Sequence, residues 1–285
     1  MGLEGERNVS HFSVIGLRVE GQDAMMRLVE AAASTAVDAV PTFPGQHLRW
    51  TDPSGAALAL HLDGQAIACV TPFFVAPEAT RWRVRTSSAH DDHECAHCGG
   101  ADCDLLDGSG EMVTRSTIQW LHFQPFRRWL AEPRGFSLRV VAFAHRAAFY
   151  DDSAAFEAGQ ESWWPGVRDR KGPTGQPMGF AEECFLPEGM FGDGKDVGDA
   201  ATVLFAGRVE HARTVTNTLT GLQFEHARIA TLPGAVDVVF DRSEGAPGAG
   251  KLAVVRAWLV GQPDLAPPPH AKAAPRGFLR RLFGA

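Results

Sequence analysis

Ala57-Leu-Ala-Leu-His-Leu-Asp-Gly-Gln-Ala-Ile-Ala-Cys-Val-Thr71 reads as two short strands, Ala57 to Leu62 and Ala66 to Thr71, joined at Asp63-Gly64. An Asp-Gly pair supplies the positive φ angles of a two-residue hairpin turn, so the two strands are antiparallel neighbours. His47-Leu-Arg-Trp50 adds a strand ahead of them. From Gln22 to Val40, apolar residues recur at Met25, Met26, Val29, Ala32, Ala33 and Ala36, the three- and four-residue steps of a helix face, and Pro41 ends the pattern. The opening His11-Phe-Ser-Val-Ile-Gly-Leu-Arg-Val19 reads as a buried strand. The order is β-α-β-β-β, an α+β half-barrel whose concave face can hold a ligand or cover a partner.

Outward from this unit the chain stays rich in strands. Arg81 to Arg85, Val113 to His122 and Phe136 to Ala144 are strand candidates of a mixed, β-rich middle, followed by glycine- and proline-rich sequence from Trp163 to Gly198. A boundary is expected near residue 198, giving an α+β domain over 1–198. Beyond it five short strands are expected at 203–209, 223–231, 236–241, 251–255 and 257–260, separated by Thr216-Asn-Thr-Leu-Thr-Gly221 and Gly245-Ala-Pro-Gly-Ala-Gly250. Five strands over 199–261 suit a small OB-like antiparallel barrel. Residues 262–285 read as a proline-rich linker and a tail in which Phe278, Leu279, Leu282 and Phe283 share one helical face beside Arg276, Arg280 and Arg281. That face suits docking into an unidentified protein partner.

Composition bounds what such a chain does. It has 285 residues, 45% hydrophobic and 21% charged, as expected of a globular protein with a sizeable core. No transmembrane run or secretory leader is legible, so a cytoplasmic location is expected, where thiols stay reduced. Residues 1–80 carry a formal charge of −5, 81–200 carry −6 and 201–285 carry +4, in line with the net −7. An acidic body opposes nucleic-acid binding, because it forgoes the counterion release that drives such association.

The sharpest chemistry lies in His90-Asp-Asp-His-Glu-Cys-Ala-His-Cys-Gly-Gly-Ala-Asp-Cys-Asp104, between the first two strands of the middle region. Cys95 and Cys98 form a CxxC knuckle, Gly99 and Gly100 allow the backbone to turn toward the sulfurs, and Cys103 offers a third thiolate. His93 or His90 would be the fourth ligand, while His97, inside the knuckle, should point away. A Cys3His shell is closed, the mark of a structural zinc. Asp91, Asp92, Asp151, Asp152, Glu182 and Glu183 are acid–base candidates, and adjacent acidic residues of this kind are usually solvated. No GxSxG, phosphate-binding loop or dinucleotide fingerprint occurs. Phe205, Phe224, Phe240 and Trp258 lie in apolar runs and are expected in a core, not on a nucleic-acid platform.

The β-α-β-β-β start resembles a module of the vicinal oxygen chelate superfamily, whose metal ligands lie on its first and fourth strands. The resemblance implies His11 as the first ligand, but no Glu stands between Ala66 and Thr71 to supply the other, and His11 and His61 are expected as partly buried strand residues. Ser10-His-Phe-Ser-Val-Ile-Gly16, Leu48-Arg-Trp50, Phe205-Ala-Gly-Arg-Val209, Asn217-Thr-Leu-Thr-Gly-Leu-Gln-Phe224 and Val236-Asp-Val-Val239 together resemble a family of uncharacterised proteins from high-GC bacteria. That resemblance implies a shared fold and no activity. The expected function is a non-enzymatic, zinc-stabilised interaction or adaptor protein. The alternatives are a metal-dependent enzyme, using the N-terminal concavity or an open zinc site, and an OB-like binder of single-stranded nucleic acid.

Overall fold

The computed structural model describes residues 11–33, 37–41, 46–64, 66–78, 80–92, 95, 97–130, 132–166, 169, 171, 175, 178–188 and 201–264. They form a mixed α+β structure that is mostly β. Helix α1 (Gln22–Ala33) precedes four strands, β1 (Val37–Pro41), β2 (Gln46–Thr51), β3 (Ala56–Asp63) and β4 (Ala66–Phe74), which make one antiparallel sheet in chain order. Gly64 takes φ 63° at the hairpin between β3 and β4, as the Asp-Gly pair requires.

The remaining strands form a nine-stranded sheet with an internal repetition. β5 (Trp82–Asp91), β6 (Gly99–Leu106) and β7 (Met112–Trp120) are an antiparallel meander, and helix α2 (Phe123–Leu130) leads into β8 (Gly135–Tyr150), which returns antiparallel to β5. After α3 (Ser153–Trp163) and β9 (Cys184–Pro187), the pattern recurs. β10 (Thr202–Thr216), β11 (Gln223–Thr231) and β12 (Gly234–Phe240) form a second meander, and β13 (Leu252–Pro263) returns antiparallel to β10. Each returning strand also lies parallel to the third strand of the other set, β8 beside β12 and β13 beside β7. β8 and β13 pair with each other from Tyr150↔Leu252 to Leu138↔Pro263, so the hydrogen bonding closes two rings that share one ladder. Closure leaves few unpaired edges for other chains to capture.

This arrangement explains why Val140 to Ala144 is apolar without alternation: both faces of β8 are buried there. Val140, Ala142 and Ala144 join one core with Trp82, Phe205 and Phe240, while Val141 and Phe143 face a second core with Val14, Ile15, Trp50 and Leu60. The four-stranded sheet thus packs its Leu48, Trp50, Leu58 and Leu60 face onto the outside of the shared ladder. The concavity expected at the N-terminus is filled with side chains. Among the described residues no helix is long and apolar enough to cross a membrane.

Several expectations change. Val14 to Leu17 is buried, but His11 to Val19 is not a strand: Ser13–Ile15 is a 3-10 turn closed by Gly16 at φ 72°, and Asn217 Nδ2 donates to the Ile15 carbonyl. A short apolar run does not tell strand from turn. The helix ends at Ala33 rather than Val40, because β-branched Val37 and Val40 belong to β1, which pairs with β2. Of the five strands expected over 199–261, the last two are one strand, β13, bulged between Arg256 and Ala257. The ring that β10 to β13 complete takes its fifth strand, β8, from before residue 198, so strands on both sides of that position share one sheet. Gln262 and Pro263 finish β13 instead of starting a linker, and Asp264 binds Arg81, Arg139 and Ser137. Phe278, Leu279, Leu282 and Phe283 lie outside the described residues.

His11 does not lie on a strand. Its ring stacks on Trp258 with centroids 4.2 Å apart, and its Nε2 lies 2.9 Å from Nε2 of His145. Burial first, and His145 second, push its pKa from 6.5 down to about 4. The unfolded chain therefore binds the extra proton near pH 6.5 and the folded chain only near pH 4, so this contribution is complete above the first value and fades as pH falls toward the second. Denaturant unfolding at about pH 7 and about pH 5 is expected to show a loss of about 1–2 kcal/mol from this residue. His11→Gln should flatten that dependence, and an unchanged slope would contradict the assignment.

Candidate metal centre

The strand register decides what the N-terminal sheet presents on its second face. His47 on β2 stands opposite His61 on β3, and His61 stands opposite Cys69 on β4, so three donor side chains form a row across the sheet. Onto this row fold the segment between β5 and β6, carrying Cys95, His97 and Cys98, and the residue that turns β7 into α2, His122. His122 has φ 59°, a left-handed conformation that costs a residue with a Cβ roughly 1–2 kcal/mol. It places the imidazole Nδ1 2.9 Å from Nδ1 of His47.

Three sulfurs converge. Cys69, Cys95 and Cys98 are the group of His, Cys, Asp and Glu among the described residues whose donor atoms lie within 4.8 Å of one another, and they could hold a metal ion. The Cys69 Sγ lies 2.9 Å from the Cys98 Sγ, and the sulfurs of Cys95 and Cys98 are adjacent in a disulfide pairing. Two backbone bonds fold the segment, Cys98 N–H to the Cys95 carbonyl and Asp92 N–H to the Cys98 carbonyl, while Asp92 Oδ1 accepts from the Cys95 N–H. Gly99 is required because a Cβ there would come within 2.5 Å of the His90 carbonyl oxygen and of the Phe123 ring. Burial holds the Cys69 thiol above its usual pKa, and a bound divalent cation would reverse that preference by stabilising the thiolate.

The histidines make a chain beside the sulfurs. His61 Nδ1 lies 2.7 Å from His47 Nε2, and His47 Nδ1 lies 2.9 Å from His122 Nδ1. His61 also stacks face to face on His97, with centroids 3.7 Å apart. Burial, followed by the neighbouring histidines, drives His47 down to about 2, while burial and His97 bring His61 to about 4. Burial and Arg49 lower His122 to about 4, so all three are neutral at ordinary pH, the form that binds metals. The Nε2 atoms of His61 and His122 are both buried without a hydrogen-bond partner among the described residues. A cavity of about 20 Å³ separates these groups, room for about one water.

The residues singled out in the sequence are distributed differently. Cys95 and Cys98 are brought together. Cys103 is not with them: β6 alternates, and its side chain points into the core with Ala101 and Leu105, fully buried. Its place beside the knuckle is taken by Cys69, which no local motif marks. His90 lies on β5, bonded through Nε2 to Asp102 at 2.8 Å and to Ser88 at 3.1 Å. His93 lies outside the described residues. His97, expected to turn away, packs on His61. The expected metal loop of 90–104 is shorter, since His90 and Asp91 already pair with Gly100 and Gly99.

Five of the six acidic candidates have structural partners, and Glu183 is exposed. Asp91 pairs with Arg127, Asp151 with Lys251 and Glu182 with Arg208, and Asp152 caps α3 by accepting from the Ala155 N–H. A larger cleft of about 860 Å³ lies elsewhere, between Asp52, Arg81, Arg139 and Arg213. Arg81 and Arg139 both pair there with the single carboxylate of Asp264. Burial would raise the Asp52 pKa, but hydrogen bonds from Ser54 and Thr218 hold it below its usual value. No cysteine or histidine lines that cleft. No protein-family model and no curated protein matches the chain.

Proposed function

We propose that this is a zinc-stabilised scaffold protein of protein–protein interaction, in which the metal ties the segment between β5 and β6 to the N-terminal sheet. The observation that carries the reading is the meeting of Cys69 on β4 with Cys95 and Cys98, which lie between two strands of the other sheet, within 4.8 Å. Sulfur-rich tetrahedral sites of this kind hold zinc for structure, and their binding energy becomes folding energy. The partner in this reading is a protein taken up by the C-terminal segment that carries Phe278, Leu279, Leu282 and Phe283.

Catalysis at the sulfurs finds little room. A cavity of about 20 Å³ is far below the roughly 300 Å³ at which small-molecule pockets begin, and the N-terminal concavity is occupied by core side chains. Binding of single-stranded nucleic acid lacks its platform at Phe205, Phe224, Phe240 and Trp258, which are all buried. A second reading, a reversible dithiol, is favoured by the adjacent sulfurs of Cys95 and Cys98. Metal analysis with thiol titration on protein purified under reducing conditions separates the two. About one zinc per chain, with the three thiols resisting alkylation until a chelator is added, is expected. A zinc-free chain that gains and loses a disulfide with redox buffer would establish the second reading instead.

A further inference from the structure

Resting on the zinc reading just given, we propose that His61 completes the metal shell through its Nε2, and that His47 and His122 orient it by fixing its tautomer. Proton accounting along the chain of imidazoles supports this. Three neutral rings share three N–H groups, and the two N···N contacts consume one donor and one acceptor each. Whichever way the chain runs, one terminal Nε2 is left as an N–H and the other as a bare lone pair. Both termini, His61 Nε2 and His122 Nε2, are buried without a partner among the described residues, so the protein keeps an unused lone pair inside its core. Such a group is costly unless something binds it.

The location of the sulfurs selects the end. His61 is the cross-strand neighbour of Cys69 and stacks on His97, which stands between Cys95 and Cys98. His122 reaches the chain from the other side of His47. With a cation at the sulfurs, His61 Nε2 faces it as a lone pair, His61 Nδ1–H donates to His47 Nε2, and His47 Nδ1–H donates to His122 Nδ1. A ligating imidazole held by an acceptor on its other nitrogen is the usual support of a protein zinc site, and loss of such support lowers affinity by about 10–100-fold. Among the described residues only the three sulfurs lie within 4.8 Å of one another, so ligation by His61 requires its ring to approach them. The histidines form a line, not a converging set, which argues against a separate three-histidine site.

Cobalt and zinc titrations of the full chain test this. Wild-type protein should give a tetrahedral cobalt spectrum with thiolate charge transfer. His61→Ala should shift the d–d bands and weaken zinc binding by at least about 100-fold. His61→Cys should strengthen the charge-transfer band toward that of four thiolates, which only a residue at the ion can do. His47→Ala should keep the wild-type band positions while weakening zinc about 10–100-fold, and His47→Gln, whose carbonyl still accepts from Nδ1–H, should recover part of the loss. Wild-type spectra and affinity in both His61 variants, or a shift produced by His93→Ala instead, would overturn the proposal and leave the zinc reading standing. Failure of the wild-type chain to take up either metal would instead remove the zinc reading itself.

Discussion

Cys69→Ser is expected to abolish stoichiometric zinc binding and, in zinc-containing buffer, to lower the melting temperature by roughly 5–10 °C. Removing a ligand should weaken binding at least as much as removing a residue behind one, so a 100-fold loss is a lower figure. At saturating metal a 100-fold loss corresponds to about 2.7 kcal/mol of stability. The same substitution in the presence of a chelator should change stability by less than about 1 kcal/mol, because the side chain is only partly buried and the hydroxyl replaces a thiol of similar size. The metal dependence of the difference is therefore the signature, read by thermal unfolding with and without zinc and by metal content. Equal zinc content in wild-type and variant chains would show that β4 contributes nothing to the centre.

Cys69 also shows where sequence reading reached its limit. The hairpin at Asp63-Gly64 was legible, and a regular ladder continued from the Asp63↔Ala66 pair would join His61 to Ala68 and place Cys69 opposite Leu60, on the apolar face. The structure has a bulge between His61 and Leu62, so that His61 pairs with Cys69 and Leu60 with Val70. One extra residue moves the thiol to the face that carries His47 and His61. Nothing in the local sequence announces the bulge, whereas the CxxC knuckle announces itself. Strand period also indicated that Cys103 and Cys98 need not point the same way once Gly99 to Leu106 is recognised as a strand, but the glycines and acidic residues there read as a loop.

Elsewhere, strands were legible where local signals agreed. β2, β3 and β4 were readable because apolar residues and a turn dipeptide agree. β13 looked like two strands because Arg256 interrupts an apolar run, while in the structure the bulge turns that arginine out to Glu188 without ending the strand. Helix α2 escaped notice because Phe123, Phe126 and Leu130 cover a single short face, and its Pro125 lies in the first turn, where proline is tolerated. The exchange of β8 and β13 between the two halves depends on contacts between residues more than a hundred positions apart. No local pattern encodes such a swap.

Asp237→Ala is expected to destabilise the fold by about 3–5 kcal/mol, the cost of stranding buried charge partners. Val236-Asp-Val-Val239 carries the signal: one acidic residue in an otherwise apolar strand must be matched. Asp237 is 1% exposed and accepts from His226 Nε2 at 2.9 Å, from Arg228 Nε at 3.3 Å, and from the backbone and hydroxyl of Thr80. Burial raises its pKa, but the hydrogen bond and charge of His226, then Arg228 and the Thr80 amide, bring it below the ordinary carboxylate value. Because Thr80 leads into β5 and Asp237 pairs with Val141 of β8, the carboxylate links both ring systems at their junction. Asp237→Asn keeps acceptors for Thr80 but loses the charge, so urea unfolding should show a smaller loss of about 1–3 kcal/mol. If the penalty came from packing alone, the two substitutions would rank by volume, and Asn would be nearly neutral. If it comes from uncompensated charge, Arg228→Met together with Asp237→Ala should recover part of the loss, because burial lowers the His226 pKa and leaves Arg228 as the stranded cation, and an apolar replacement of a buried pair is often tolerated. Independent, additive costs in that double variant would refute the coupling.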